Sequence, residues 1–431
     1  MSLKVLIITY YWPPSGGAGV QRWTYFAKNL IKLGVTPIIV TIDPKNAAYP
    51  SYDTSFENEI KDIEVHYTSG GSILNVYSFL KTGTKNKAIP TGDFGTEKKS
   101  IFDKITGFIR GNFFIPDARV GWNKKAFDLS KEIIKKNNID IVITTGPPHS
   151  THLVGLKLQE KLKIKWVADF RDPWREVFYN HLFHRTKFAD KKDARLEKQV
   201  LTNATVVLTV GPSMQELLAS KIEKNKEKVK YLLNGYESEL FDTLKKEKEK
   251  EGKNFTISYV GSLNTHYPYS IFLQSLVKIK EKHATDFTFI CAGKIEQNIL
   301  QEFKNCEDFT FDYKGIVEHS EAVQLMKNSD LLLLFLPSFG NTQIMVTGKL
   351  MEYLATGNPI ICIGDTNSDA AKILLNYENC CSAEIDEGQK IEEFIQKISV
   401  RNKEEGTALA SSQQYSRFEI TKELVRILKS I

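Results

Sequence analysis

Lys349 and Glu352 stand three residues apart inside the segment Val-Thr-Gly-Lys-Leu-Met-Glu-Tyr-Leu-Ala-Thr-Gly-Asn-Pro-Ile-Ile-Cys-Ile, which runs from Val346 to Ile363. Thr347 is a favourable helix N-cap, Gly357-Asn358-Pro359 is a stop signal, and Ile360–Ile363 is an apolar run of the kind found in buried strands. The pattern predicts a short helix opening at Thr347, with Lys349 in its first turn. A cation there opposes the helix macrodipole. An anion docked on the free backbone N–H groups of this first turn, which opens Gly348-Lys349, would remove the conflict, with the Lys349 ammonium closing on it. Glu352 and Thr356 follow on the same polar face, while Leu350 and Leu354 turn to the core. A cation followed one turn later by a carboxylate suits a diphosphate joined to a ribose, whose hydroxyls the carboxylate would accept. The competing reading is a surface Lys–Glu pair worth a few tenths of a kcal/mol.

Further candidate groups sit in loops that follow apolar runs. The first run leads into Tyr11-Trp-Pro-Pro-Ser-Gly-Gly-Ala-Gly19, where Gly16 and Gly17 would let backbone approach a ligand closely. A nicotinamide dinucleotide site is the obvious competitor, with Asp43 near the end of the second strand. The loop is too long for that motif, and Arg22 stands where the third glycine of GxGxxG belongs. Arg22 and Gln21 could instead be plain surface residues of the helix expected from about Val20. Thr144-Thr-Gly-Pro-Pro-His-Ser150 offers His149 as a general base or hydroxyl ligand, or as an ordinary loop histidine; His152 reads as structural. In Ala168-Asp-Phe-Arg-Asp-Pro-Trp174, Asp172 could orient an acceptor hydroxyl, Arg171 could meet phosphate or an aspartate, and Trp174 could stack on a sugar ring. An internal Arg–Asp bridge that fixes this loop is the alternative. Later in the chain, Tyr259-Val-Gly261-Ser262 could present amides to a phosphate. Backbone around Val317 in Gly315-Ile-Val-Glu-His319 could meet a base, while Glu318 and His319 read as helix-start residues.

The elements that must hold these loops are short, continuously apolar runs alternating with helical stretches, which is the signature of parallel sheets covered on both faces. Examples are Val5–Tyr10, Ile139–Thr144, Lys165–Asp169, Phe255–Tyr259, Phe287–Cys291, Leu331–Phe335 and Pro359–Ile363, and ten such runs divide into two βα arrays. At 431 residues, two domains are expected. The boundaries read as 1–236, 237–410 and a C-terminal helix within 411–431, with the charge-rich stretch 244–253 near the junction. Hydrophobic residues make up 42% and charged residues 26% of the chain, and its net charge is +6, which fits anionic substrates but is too diffuse for nucleic acid. The five cysteines form no CxxC pair and read as buried thiols in a reducing compartment. No apolar run is long enough to span a membrane, so the expected location is cytoplasmic. Residues 98–114 form a basic, aromatic amphipathic stretch that could lie in a membrane interface or pack on its own domain. Asp-x-Asp, HExxH, GxSxG and Walker signatures are absent, which argues against hydrolase and kinase classes and gives no metal ligands.

Taken together, the Gly-rich loop, the Asp-Phe-Arg-Asp-Pro-Trp loop, Asn234-Gly235, Tyr259-Val-Gly-Ser, Gly315-Ile-Val-Glu-His and Lys349-Leu-Met-Glu352 through Gly357-Asn-Pro359 resemble the retaining glycosyltransferase family four of the GT-B fold. The resemblance covers nearly the whole chain and is nearest to the subset that makes bacterial surface polysaccharides. It implies an α/β architecture of two Rossmann-like domains facing across a cleft. The first would take a glycan or lipid-linked acceptor, the second a nucleotide-sugar donor, and the last helix would cross back onto the first. It implies that Glu352 holds the ribose, that the amides of Leu350 and Met351 hold the diphosphate, and that no metal or other cofactor is needed. The family's second glutamate, eight positions before Glu352, is Ile344 here. The usual Arg and Lys after the first strand of the donor domain are Ser262 and Tyr267. The clamp would then rest on Lys349 and backbone amides. Retaining transfer implies an oxocarbenium-like transition state in which the leaving phosphate accepts the acceptor's proton. Two rivals remain: a catalytically silent nucleotide-sugar-binding partner, suggested by Ile344, and a nucleotide-sugar epimerase on the same fold.

Overall fold

The computed structural model describes residues 2–69, 101–177, 180, 184–244, 254–283, 286–400 and 412–431, without the side chains of residues 18 and 101–106. The charged run 245–253 and residues 98–100 of the amphipathic stretch lie outside that set. The chain divides into two units, Met1–Leu233 with Ile420–Ile431, and Asn234–Glu419.

The first unit is built on a seven-stranded parallel sheet. Its strands are β1 (Lys4–Ile8), β2 (Thr36–Ile42), β3 (Glu64–Thr68), β4 (Ile141–Gly146), β5 (Lys165–Phe170), β6 (Val206–Thr209) and β7 (Val229–Tyr231), in the order β3-β2-β1-β4-β5-β6-β7. The core packs Val5, Ile7, Ile39, Ile141, Ile143, Val167 and Leu208 of the sheet against Trp23, Phe26 and Leu30 of the helix Ala18–Lys32. Leu424, Val425, Ile427 and Leu428 of the last helix, Arg417–Lys429, complete it.

The second unit repeats the plan with six parallel strands: β8 (Phe255–Val260), β9 (Phe287–Ala292), β10 (Thr310–Gly315), β11 (Leu331–Phe335), β12 (Ile360–Ile363) and β13 (Cys380–Ala383). Their order is β10-β9-β8-β11-β12-β13. Ile257, Tyr259, Phe289, Leu331, Leu333, Ile361 and Ile363 form its centre. Each unit is thus a doubly wound sheet whose order reverses beside its first strand, between β1 and β4 and between β8 and β11. Such reversals open a crevice at the carboxyl ends of the strands, where ligands bind in this class of fold.

The ten apolar runs are strands, and three strands escape the pattern: β3, β7 and β13. All three are sheet edges, so one side of each is unpaired and continuous apolarity is not required of them. The first helix starts at Ala18, two residues before the expected position, because Gly17, at φ +108°, ends the loop in a conformation open to glycine. No helix among the described residues is long and apolar enough to cross a membrane.

Candidate functional site

In the second unit, both flanks of the strand-order reversal carry predicted residues. Gly261 follows β8 at φ +136° and donates its N–H to the Ala292 carbonyl (2.7 Å). Gly293 follows β9 at φ +128° and donates to Gly315 (2.6 Å). A Cβ on Gly293 would stand 2.3 Å from the Gly261 carbonyl oxygen, so the two turns approach at a distance only glycine permits.

The other flank is the helix Gly348–Thr356, which ends at Gly357 with φ +80°. Leu350, Met351, Tyr353 and Leu354 are fully buried, and the Tyr353 hydroxyl accepts the Val260 N–H (3.0 Å), fixing the helix against the end of β8. Thr347 has the extended backbone of an N-cap, yet its hydroxyl makes no capping bond, contrary to the expectation from sequence. The side-chain acceptor that normally takes a first-turn amide is therefore not used at this helix start. The Leu350 amide donates to the Thr347 carbonyl (3.1 Å), so of the two amides expected to hold a diphosphate, this one is engaged in the helix's own first turn. The Gly348 and Lys349 amides precede it, and a Cβ on Gly348 would meet only open space.

Lys349 does not point outward. Its side chain folds back across Gly261, with Nζ donating to the Tyr259 hydroxyl (3.2 Å) and lying 4.6 Å from the centre of that ring. The Tyr259 hydroxyl in turn donates to the Ser262 carbonyl (2.7 Å). Burial pulls Lys349 down to about 8, against the opposing attraction of Glu352. Glu352 turns inward too, its side chain 12% exposed, and accepts a hydrogen bond from His319 Nε2 at 2.9 Å. Thr356 leaves the expected polar face: its hydroxyl donates to the Tyr353 carbonyl (2.7 Å) and accepts from the Asn358 N–H (3.1 Å), closing the helix end. Ser262 is exposed and Val317 half-buried. Ile344 is buried, so the position of the family's second glutamate is an apolar packing site.

In the first unit, the Gly-rich loop and the loop after β4 likewise flank the reversal. Gly16 donates to the Ser51 carbonyl (3.0 Å), and a Cβ on it would crowd the Ser51 hydroxyl at 2.8 Å. Arg171 spans both loops. Its guanidinium lies against Gly19, where a Cβ would come within 1.8 Å of Nη1, while Nε donates to the Gly146 carbonyl (3.2 Å) and Nη2 to Pro147. The alternative reading, an internal Arg–Asp bridge fixing this loop, is not met by Arg171 and Asp172, which form no ion pair; Asp172 is exposed.

The ion pair that does form was not expected. Arg22, read as possibly superficial, is 1% exposed and pairs with Asp169 at 2.9 Å, both side chains fully buried. Trp23 Nε1 (2.7 Å) and Thr145 (2.9 Å) also donate to Asp169, and Arg22 reaches the Leu232 and Leu233 carbonyls. An aspartate at the end of an otherwise apolar strand was the available signal, since a buried carboxylate must find donors.

His149 is buried and stacks on Trp174, their ring centres 5.1 Å apart at 14°. Burial, then the nearby His152 and Arg171, push His149 well below the ordinary imidazole range, so it stands neutral at physiological pH. The Pro173 carbonyl opposes that shift without closing a hydrogen bond of good geometry to either ring nitrogen. His152 is structural, bonded through Nδ1 to Thr144 (2.9 Å) and stacked on Phe170. Trp174 corrects the sequence reading. It is 3% exposed, donates to Asp193 (2.9 Å) and packs its ring on His149, so it walls the histidine instead of offering a free face to a sugar.

Residues 92–240, all but the last seven of them in the first unit, match the model of Glycosyltransferase Family 4. No curated protein matches the chain. Among solved structures, HepE of Anabaena, crystallised with UDP and glucose, superposes with a TM-score of 0.60 at 14% identity over 100% of both chains. The fold is GT-B. Sucrose-phosphate synthase of Thermosynechococcus elongatus gives 0.59 at 12% identity, over 99% of this chain and 97% of that one. The lipopolysaccharide outer core galactosyltransferase WaaB, in its apo form, gives 0.59 at 13% over 99% of each. At such identities the likeness is one of fold.

Proposed function

We propose that this protein is a glycosyltransferase that moves a sugar from a nucleoside diphosphate donor to a hydroxyl acceptor with retention of configuration. The observation that carries the reading is Lys349: a half-buried cation at the start of a helix, folded over Gly261, with a carboxylate one turn along. A pyrophosphate on this helix start meets the ammonium and the Gly348 and Lys349 amides, with Met351 and the Gly261-Ser262 turn beside it. The ribose meets Glu352, and the base meets the backbone at Val317. Charge grows on the departing phosphate as the glycosidic bond breaks, and groups already aimed at that phosphate stabilise the transition state more than the ground state. No metal is needed in this scheme, since Lys349 supplies the positive charge.

The first unit supports the acceptor half of the reading. A neutral His149 and an exposed Asp172 are the groups proposed to receive an acceptor hydroxyl, and Arg171 braces the loop after β4 against Gly19 at the start of the first helix. The acceptor is proposed to be a glycan, free or lipid-linked, of the kind used in surface polysaccharide synthesis. Phe108, Ile109 and Phe113, exposed on the helix Ile101–Phe113, would favour peripheral attachment to a membrane.

Incubating the purified protein with a panel of nucleotide sugars and measuring released nucleotide tests the reading. The Lys349→Ala variant is expected to lose at least about 100-fold in turnover, the loss typical of removing one preorganised donor to developing charge. Full turnover by that variant refutes the assignment.

A further inference from the structure

His319 opens the helix His319–Asn328, four residues past Gly315 at the end of β10. Its Nε2 lies 2.9 Å from Oε1 of Glu352, and the two side chains are 34% and 12% exposed. A carboxylate only accepts, so Nε2 is the protonated nitrogen. The helix Gly348–Thr356 anchors the Glu352 backbone by burying Leu350, Met351, Tyr353 and Leu354, but three rotatable side-chain bonds separate that backbone from the carboxylate. A hydrogen bond from a different element removes that freedom. It occupies one side of Oε1 and leaves Oε2 and the remaining lone pair of Oε1 for a ligand.

Resting on the nucleotide-sugar reading above, we propose that His319 is a positioning residue that fixes the Glu352 carboxylate for the ribose diol and so makes the site prefer ribonucleotides to 2′-deoxyribonucleotides. Two neighbouring hydroxyls can both donate to a carboxylate only when its plane is held at one tilt. A freely turning carboxylate gains little from the second hydroxyl. A fixed and largely buried one is left underbonded when that hydroxyl is missing, and this is how a polar site rejects a deoxy analogue. The turn Gly315–His319 thereby serves the nucleoside twice, through backbone at Val317 and through His319, while the pyrophosphate depends on Lys349. Loss of His319 should therefore touch the nucleoside half of binding alone.

Calorimetric titration of the full chain with UDP, GDP and ADP, with their 2′-deoxy counterparts and with inorganic pyrophosphate separates these contributions. For the best-bound ribo/deoxy pair, His319→Ala is expected to weaken the ribonucleotide about 10-fold, as for one lost hydrogen bond to a charged group. The deoxynucleotide and pyrophosphate should be nearly unaffected. His319→Gln, which can return an N–H to the same oxygen, should restore most of the preference, and its unfolding temperature controls for folding. In a Glu352→Ala background, His319→Ala should cost nothing further. Equal weakening of ribo and deoxy ligands, or full additivity with Glu352→Ala, overturns the proposal. The underlying reading fails differently: no nucleoside diphosphate binds the wild type, or Lys349→Ala leaves pyrophosphate affinity unchanged.

Discussion

The Nζ of Lys349 occupies the space where a side chain on residue 261 would begin: a Cβ built on Gly261 would stand 2.4 Å from it. The residues are 88 positions apart, on opposite flanks of the point where strand order reverses in the second sheet. One residue's lack of a side chain is what lets the other's cation turn inward over Tyr259 instead of outward to water.

Gly261→Ala should therefore damage binding and stability together. Its φ of +136° strains any L side chain, at about 1–3 kcal/mol, and the new methyl displaces the ammonium. Gly348→Ala is the informative contrast. Nothing lies within 4 Å of its added Cβ, and alanine in a first helical turn is neutral to stabilising by about 0.5–1 kcal/mol. If that open space belongs to the pyrophosphate, Gly348→Ala keeps or raises the unfolding temperature while nucleoside diphosphate affinity falls. Thermal unfolding and titration of both variants check this; undiminished affinity in Gly348→Ala counts against the docking site.

Lys349 also sets a pH dependence. At about 8, against an ordinary 10.5, the lysine is neutral in the folded protein but protonated in the unfolded chain between those values. The unfolded state binds more protons there, so stability without ligand rises from pH 8 toward 10.5. Anion binding runs the other way, because it needs the ammonium. Nucleoside diphosphate affinity should fall as pH rises above 8, by up to about 10-fold per unit, and binding at pH 8.5–9 should take up a proton. Calorimetry in two buffers of different ionisation enthalpy measures that uptake, and its absence in Lys349→Arg would identify the residue.

The buried Arg22–Asp169 pair should be a stability element. Asp169→Asn or Arg22→Met alone leaves an unmatched buried charge and should cost about 3–5 kcal/mol, whereas replacing both with apolar residues should recover much of that loss. Unfolding curves of the three variants test the non-additivity.

Acid should destabilise the first unit through its histidines. Burial holds His152 at about 3 and His149 well below 6.5. Below pH 6.5 the unfolded chain takes up protons that the folded chain refuses, so this stability is complete above pH 6.5 and is lost progressively toward pH 3. Each imidazole should contribute a slope of up to about 1.4 kcal/mol per pH unit. His152→Phe, which keeps the stacking on Phe170, should lower stability at pH 7.5 by losing the Thr144 bond yet flatten the decline between pH 6.5 and 5. An unchanged slope would argue against a neutral buried His152.

Several of these features are legible in the amino-acid sequence. The helix at Lys349, its end at Gly357 and the strand that follows are written within 18 consecutive residues, because caps, stop signals and apolar runs act through the local backbone. Parallel sheets flanked by helices follow in the same way, from the continuous apolarity of strands covered on both faces, whereas the doubly wound strand order does not. Edge strands β3, β7 and β13 were invisible for the converse reason, since half of each edge answers to no neighbour.

Side-chain partnerships were beyond reach of the linear pattern. Arg22 and Asp169 are 147 residues apart, His319 and Glu352 are 33, and Trp174 finds Asp193 19 residues on. Strand order brings the first pair together, helix packing beside the second reversal brings the second, and the return of the helix Lys187–Asn203 against the loop after β5 brings the third. Residue type and local spacing set which groups could carry charge to a ligand and which loops they occupy. Which of those groups turn inward depends on the packed fold, because burial and hydrogen bonding involve neighbours that the linear order does not name.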